Sequence, residues 1–185
     1  MSLKYKKVLI IGATSGIGAA FADKLVENGI FVVAVGRRKE NLDNFVAKHG
    51  KDKVATAVLD ILKLDQIPSF VADISKAHPD IDSILLNSGI QRGFNFAQPS
   101  AVELSIMKTE SPNVKVIEVS PPAVQTEMHD AKHQPDLSNG HMIGMPVDEF
   151  VNELYARLAK GEDQIPIGTA KDMFASFEHT RQEFF

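Results

Sequence analysis

The run KVLII at residues 7–11, followed at once by GATSGIG at 12–18, constrains this chain more than any other stretch. A continuous apolar run is the mark of a strand buried on both faces, as in a parallel sheet. Gly12, Gly16 and Gly18 then supply a tight turn. Residues 19–28 read as a helix, with Phe21, Leu25 and Val26 at helical spacing and Gly29 as its stop. A helix entered through a glycine turn presents unpaired N–H groups and the positive end of its dipole, and glycine lets a ligand's backbone-bound phosphates come close. A pyrophosphate is the group such a turn suits.

The pattern repeats downstream. Residues 30–35 (IFVVAV) read as a second strand, 39–49 as a helix with Leu42, Phe45 and Val46 inward, and 54–59 as a third strand ending at Asp60. Residues 66–77 read as a helix with Ile67, Phe70, Val71 and Ile74 on one face, and 84–86 as a fourth strand closing in Asn87-Ser88-Gly89. This alternation predicts an α/β fold: a Rossmann-like, doubly wound parallel sheet in three αβα layers. Residues 91–113 are polar and mixed, with a short helix at 102–107. A strand at 114–119 stops at Pro121 and Pro122, because proline offers no N–H to a ladder. Residues 147–160 read as an amphipathic helix with Phe150, Val151, Leu154, Tyr155 and Leu158 as its stripe, and 164–167 as a last short strand. The expected organisation is one nucleotide-binding domain over 1–185, with 123–146 as a lid or substrate loop.

Composition narrows the function classes. The 185 residues suffice for one domain with a sizeable core, and the formal net charge of −4 lacks the basic face of a nucleic-acid binder. Without cysteine there is neither a disulfide framework nor a thiolate zinc site. No apolar run reaches membrane-spanning length, and the basic start MSLKYKK leads into a run too short for a signal peptide. A cytoplasmic protein with no nucleic-acid or membrane partner is expected. His129 and His133 are spaced as metal ligands on a helix would be, but the glycines and prolines around them argue for a loop, and no metal site is assigned. Ser105 and Lys108 match a Ser-x-x-Lys pattern without the rest of that hydrolase signature.

The end of the second strand selects the cofactor. A carboxylate there would accept hydrogen bonds from a ribose 2′-hydroxyl, whereas arginine suits a 2′-phosphate. The chain has Gly36-Arg37-Arg38 and no acid before Glu40, which favours NADP(H) over NAD(H).

With these motifs in order, the chain resembles the short-chain dehydrogenase/reductase family. Gly12-Ala-Thr-Ser-Gly16-Ile-Gly18 has that family's glycine spacing. Asp60 matches its acidic residue near the adenine, Asn87-Ser88-Gly89 resembles a shortened Asn-Asn-Ala-Gly motif, and Pro121-Pro122-Ala123-Val124-Gln125-Thr126 resembles its Pro-Gly-x-x-x-Thr motif with Pro122 in the glycine position. The resemblance implies a cofactor site of Gly12, Thr14, Ser15, Gly16, Ile17 and Gly18 at the pyrophosphate, and Arg37 and Arg38 at the 2′-phosphate. It implies Asp60 and Ile61 at the adenine, Asn87, Ser88 and Gly89 at the riboses, and Val124 and Thr126 at the nicotinamide end. It further implies an oxidoreductase acting on a small carbonyl or alcohol, and a homo-oligomer built on interface helices.

One part of the pattern is missing. In that family a serine and a Tyr-x-x-x-Lys pair lie between the third and fourth motifs, and the phenol exchanges the proton while hydride moves. Residues 90–120 contain no tyrosine. The chain's two tyrosines are Tyr5 and Tyr155, and Tyr155 has Ala159 four places on and sits in the apolar stripe of its helix, which reads as core. No catalytic residue is therefore assigned. A complete member would need two further strand–helix units of about thirty residues each, roughly sixty in all, with the apparent join near 107–113. The segment is deleted or spliced out, or belongs to the protein beyond these 185 residues, or the protein keeps binding and has lost catalysis. A chain so shortened leaves a gap in the sheet, to be bridged or filled by the strand at 114–119, and is expected to be less stable unless a partner covers the exposed sheet.

Overall fold

In the computed structural model, residues 2–89, 115, 117–130, 134 and 139–183 are described. Within them, β1 (Lys7–Ile11), α1 (Gly16–Glu27), β2 (Phe31–Gly36), α2 (Lys39–His49), β3 (Val54–Val58), α3 (Ile67–Ala77) and β4 (Ser83–Leu86) form the first half. β5 (Glu118–Ser120), α4 (Val147–Ala159), β6 (Gln164–Pro166) and α5 (Ala170–Glu183) form the second. The first four strands make one parallel sheet in the order β3-β2-β1-β4, the Rossmann-like arrangement expected.

The side-chain alternation of a strand divides this sheet's apolar residues between two faces. Val8, Ile10, Val32 and Ala34 join a core with Phe21, Leu25, Phe150, Leu154 and Tyr155 from α1 and α4. Leu9, Val33 and Val35 join Leu59 on the opposite face, where Phe70 and Ile74 of α3 lie against them. The two coverings are unequal, since α1 buries five residues and α3 none. Val71, expected inward, is 53% exposed: the apolar face of α3 is wider than the surface it packs on.

The starts of α1 and β2 and one whole helix depart from expectation. α1 begins at Gly16 rather than 19, because the glycine turn passes directly into the first helical turn. β2 covers Phe31–Gly36, one residue later than read, with Ile30 as a buried entry whose N–H donates to Leu25 O at 3.0 Å. α5 went unread, its phenylalanines being scattered on a polar background. At the other end of the sheet, the Asp82 carboxylate accepts the N–H of Lys6 at 2.8 Å and of Lys7 at 3.2 Å, clipping the approach of β4 to the start of β1. The Lys7 ammonium donates to Asp80, holding that carboxyl below its usual range.

The second half corrects the expected sheet. The described end of the strand read at 114–119 does not pair with β4. β5 pairs in parallel with β6 as a separate two-stranded sheet. The reason is local: α4 is the crossover that returns β6 beside β5. Ile165 and Ile167 are fully buried in the core shared with α1 and α4, which fixes the small sheet to the body. Among the described residues the only strand beside β4 is β1, and Ile84 and Leu86 are 61% and 79% exposed. The helix read at 102–107, the Ser105 and Lys108 pattern, His133, and Val114 and Val116 lie outside the described residues. No helix among the described residues is long and apolar enough to cross a membrane.

Candidate functional site

The turns that follow β1, β2, β3 and β4 gather at the carboxyl ends of the parallel strands. β1 leads to β2 on one side and has β4 on the other, so the chain's winding reverses at the β1 end. Open α/β sheets hold their ligands at such a crevice. The glycine-rich turn of residues 12–18 stands there.

The turn is built by close approach. Gly12 has φ +97°, which a side chain would resist, and its N–H and that of Ala13 both donate to Val35 O at 2.9 Å. A Cβ at Gly12 would lie 2.8 Å from Ser88 N and Oγ. A Cβ at Gly18 would collide with the Gly12 carbonyl oxygen and lie 2.6 Å from Asn87 Nδ2. That amide donates to Gly12 O at 3.2 Å, and Asn87 N–H donates to Ile11 O at 2.9 Å. Asn87 and Ser88 are thus held against the turn, while a Cβ at Gly89 would meet none of the described residues within 4 Å. The N-cap Ser15 makes no hydrogen bond to the N–H groups of α1, and the helix has no acid in its first turn. Neither the N-cap side chain nor an acid in the first turn caps its positive end, which is fit for an anion. This cradle, which a Cβ would fill, fits a dinucleotide's pyrophosphate.

The β2 end adds the cations. Gly36 gives Thr14 room, since a Cβ there would strike the Thr14 side chain. The guanidinium of Arg38 donates from Nε to Thr14 Oγ1 at 3.3 Å and from Nη2 to Ser15 Oγ. Its Nη1 lies 2.7 Å from Glu127 Oε1 and 2.9 Å from Oε2. Asn41 Nδ2 fixes the turn further by donating to Thr14 O at 2.6 Å. Arg37 is exposed and makes no hydrogen bond or ion pair among the described residues. Leu59 N–H donates to Gly36 O at 3.1 Å, which brings the end of β3 alongside. Asp60 follows, accepting Leu62 N–H at 3.2 Å, with Ile61 38% exposed beside it.

The segment after β5 closes the other side. Thr126 lies on Gly16, where an added Cβ would be 3.2 Å from the Thr126 Cβ and Cγ2. Val124 is different: its side chain is 3% exposed in the main core, so what it offers a ligand is main chain. A parallel bridge joins Val124 to Met145, with Gln125 N–H donating to Met145 O and Met145 N–H to Ala123 O, both at 2.9 Å. The stretch read as a lid is therefore pinned at both ends. Tyr155 sits in the core at 8% exposure with the Lys24 ammonium 5.9 Å from its ring centroid, far in role from a proton donor.

Structure thus brings together Gly12, Thr14, Ser15, Gly16, Ile17, Gly18, Arg38, Asn87, Ser88 and Thr126 around one turn, with Arg37, Asp60 and Ile61 along the adjoining strand ends. Glu127 and Asn41 were missed. Nothing in the spacing of residue 127 from residue 38 marks the pair, although a carboxylate next to Thr126 is a natural partner for an arginine in a chain with an acid excess.

A sequence profile described as short chain dehydrogenase matches residues 6–110. The match ends inside the window where the sequence places the join. The NADP-dependent 3-hydroxy acid dehydrogenase YdfG of Salmonella typhi is 38% identical over 96 residues, 52% of this chain and 38% of that protein. Gluconate 5-dehydrogenase of Gluconobacter oxydans is 38% identical over 95 residues, 49% of this chain and 36% of its own length. The matches span under two-fifths of these relatives. A solved short chain dehydrogenase/reductase of Saccharomyces cerevisiae superposes with a TM-score of 0.64 over 85% of this chain and 91% of that one, at 18% identity, a likeness of fold.

Proposed function

The chain belongs to the short-chain dehydrogenase family, and on that premise we propose that it is an NADP(H)-dependent oxidoreductase acting on a small carbonyl or alcohol. The observation that carries the cofactor choice is the pair Arg37 and Arg38 at the end of β2, with no acidic residue in the sequence there before Glu40, beside a glycine cradle and a helix start whose N-cap side chain makes no cap. When bound, the nicotinamide would supply or accept hydride. The chain's own part is to hold the pyrophosphate on the α1 N-terminus, the 2′-phosphate on Arg37, and the nicotinamide end near Thr126. Asp60 and Ile61 would line the adenine, and Asn87, Ser88 and Gly89 the riboses. The 3-hydroxy acid dehydrogenase named above is NADP-dependent, which supports the same choice.

Equilibrium titration tests it. NADPH should bind more tightly than NADH, and Arg37→Ala should weaken NADPH roughly tenfold or more, the loss of a charge-assisted contact of about 1.5–3 kcal/mol. NADH should be unaffected by that change, and equal wild-type affinities would defeat the assignment.

A second reading has its own support. The window 90–120 contains no tyrosine, and Tyr155 is committed to the core. On this reading the chain binds the cofactor without turning it over. NADPH oxidation against a panel of aldehydes and ketones separates the two: binding without oxidation selects the second, and oxidation the first.

A further inference from the structure

All three nitrogens of Arg38 are engaged: Nε with Thr14, Nη2 with Ser15 and Nη1 with Glu127. The neighbouring Arg37 has no such partners among the described residues. One arginine is therefore open and one is held. We propose that Glu127 is an internal competitor for the site of the 2′-phosphate, and so a residue that sets selectivity between NADP(H) and NAD(H). This rests on the NADP(H) reading above.

A carboxylate and a phosphate present the same acceptor oxygens to a guanidinium, and the phosphate carries more charge. Glu127 comes from the segment on the far side of the crevice and reaches the arginine that the β2 end supplies. It follows Thr126, which rests on Gly16, so the ion pair also ties Thr126 to the glycine turn. The side chains of the pair are 44% and 38% exposed. An ion pair this open is weak enough for a dianion to displace. NADP(H) gains Arg38 by releasing Glu127, whereas NAD(H), with a hydroxyl there, has nothing to exchange. A plain structural tie would behave differently, since its loss would weaken both cofactors and lower the melting temperature.

Calorimetric titration of Glu127→Gln with NADPH and with NADH decides. Freeing Arg38 from the competitor should tighten NADPH roughly three- to tenfold, with NADH within about twofold. In an Arg38→Ala background the same change should alter neither affinity by more than about twofold, because the competition acts through Arg38. NADPH affinity that is unchanged or lower, or an equal gain for both cofactors, overturns the proposal. If the wild type shows no preference, the NADP(H) reading fails by itself. Glu127→Gln must even then create a preference for NADPH, and its failure to do so overturns this proposal as well.

Discussion

At Gly18 two effects of a methyl group oppose each other. Alanine in a helix is favoured over glycine by roughly 0.5–1 kcal/mol. Here the added Cβ would collide with the backbone carbonyl of Gly12, which cannot swing aside as a flexible side chain would. Overpacking of this kind costs about 1–3 kcal/mol, so sterics win. Gly18→Ala should lower stability by roughly 2 kcal/mol in urea titration and abolish cofactor binding, since the turn and the helix start move together. Gly29 provides the contrast. It has φ +79° and nothing within 4 Å of an added Cβ. Gly29→Ala should therefore cost about 1–2 kcal/mol from left-handed backbone alone and leave cofactor affinity intact. If both variants lose binding equally, the close approach at Gly18 is not what shapes the site.

At the scale of elements, α1 and α4 are anchored and α3 is not. Leu154 is 2% exposed against α1 and the sheet, and Leu154→Ala should cost about 2–5 kcal/mol. Val71→Ala on α3, at 53% exposure, should stay within about 0.5 kcal/mol. Hydrogen exchange should rank the helices the same way, with α3 amides opening well before those of α1. Much of this was legible beforehand. The uninterrupted apolar runs of β1 and β2 announce burial on both faces, and Gly29 and Gly50 mark where helices stop. The depth of burial of α3 was not legible, because periodicity gives the direction of an apolar face and not the presence of a neighbour for it. The pairing of β5 with β6 escaped for a related reason. A three-residue strand carries no information on its partner, and the choice is made by α4, which delivers β6 to its side. In the candidate site, the glycines and arginines were readable from position, while Glu127 emerges only when segments 89 residues apart meet.

The described residues join a four-stranded and a two-stranded sheet through one core, and the turns of the candidate site belong to the first sheet with Thr126 and Glu127 brought in from the second half. The proposed cofactor cradle therefore lies within the described residues, and its binding can be measured separately from turnover. The division leaves a physical trace at β4. Leu85 packs into the main core, while Ile84 and Leu86 point to the opposite face, 61% and 79% exposed. Large apolar side chains on a strand whose second edge has no partner among the described residues invite pairing with another chain. The double change Ile84→Lys and Leu86→Lys should place charge on that face at a cost below about 1 kcal/mol, because neither side chain is buried. It should also raise the temperature at which the protein begins to scatter light, since lysines on an edge oppose strand addition. A loss above about 2 kcal/mol would mean that this face is covered in solution. Size-exclusion chromatography of the wild type then identifies the cover: a second copy elutes as a dimer that the lysines convert to monomer, whereas coverage from within the chain leaves the elution unchanged until the protein unfolds.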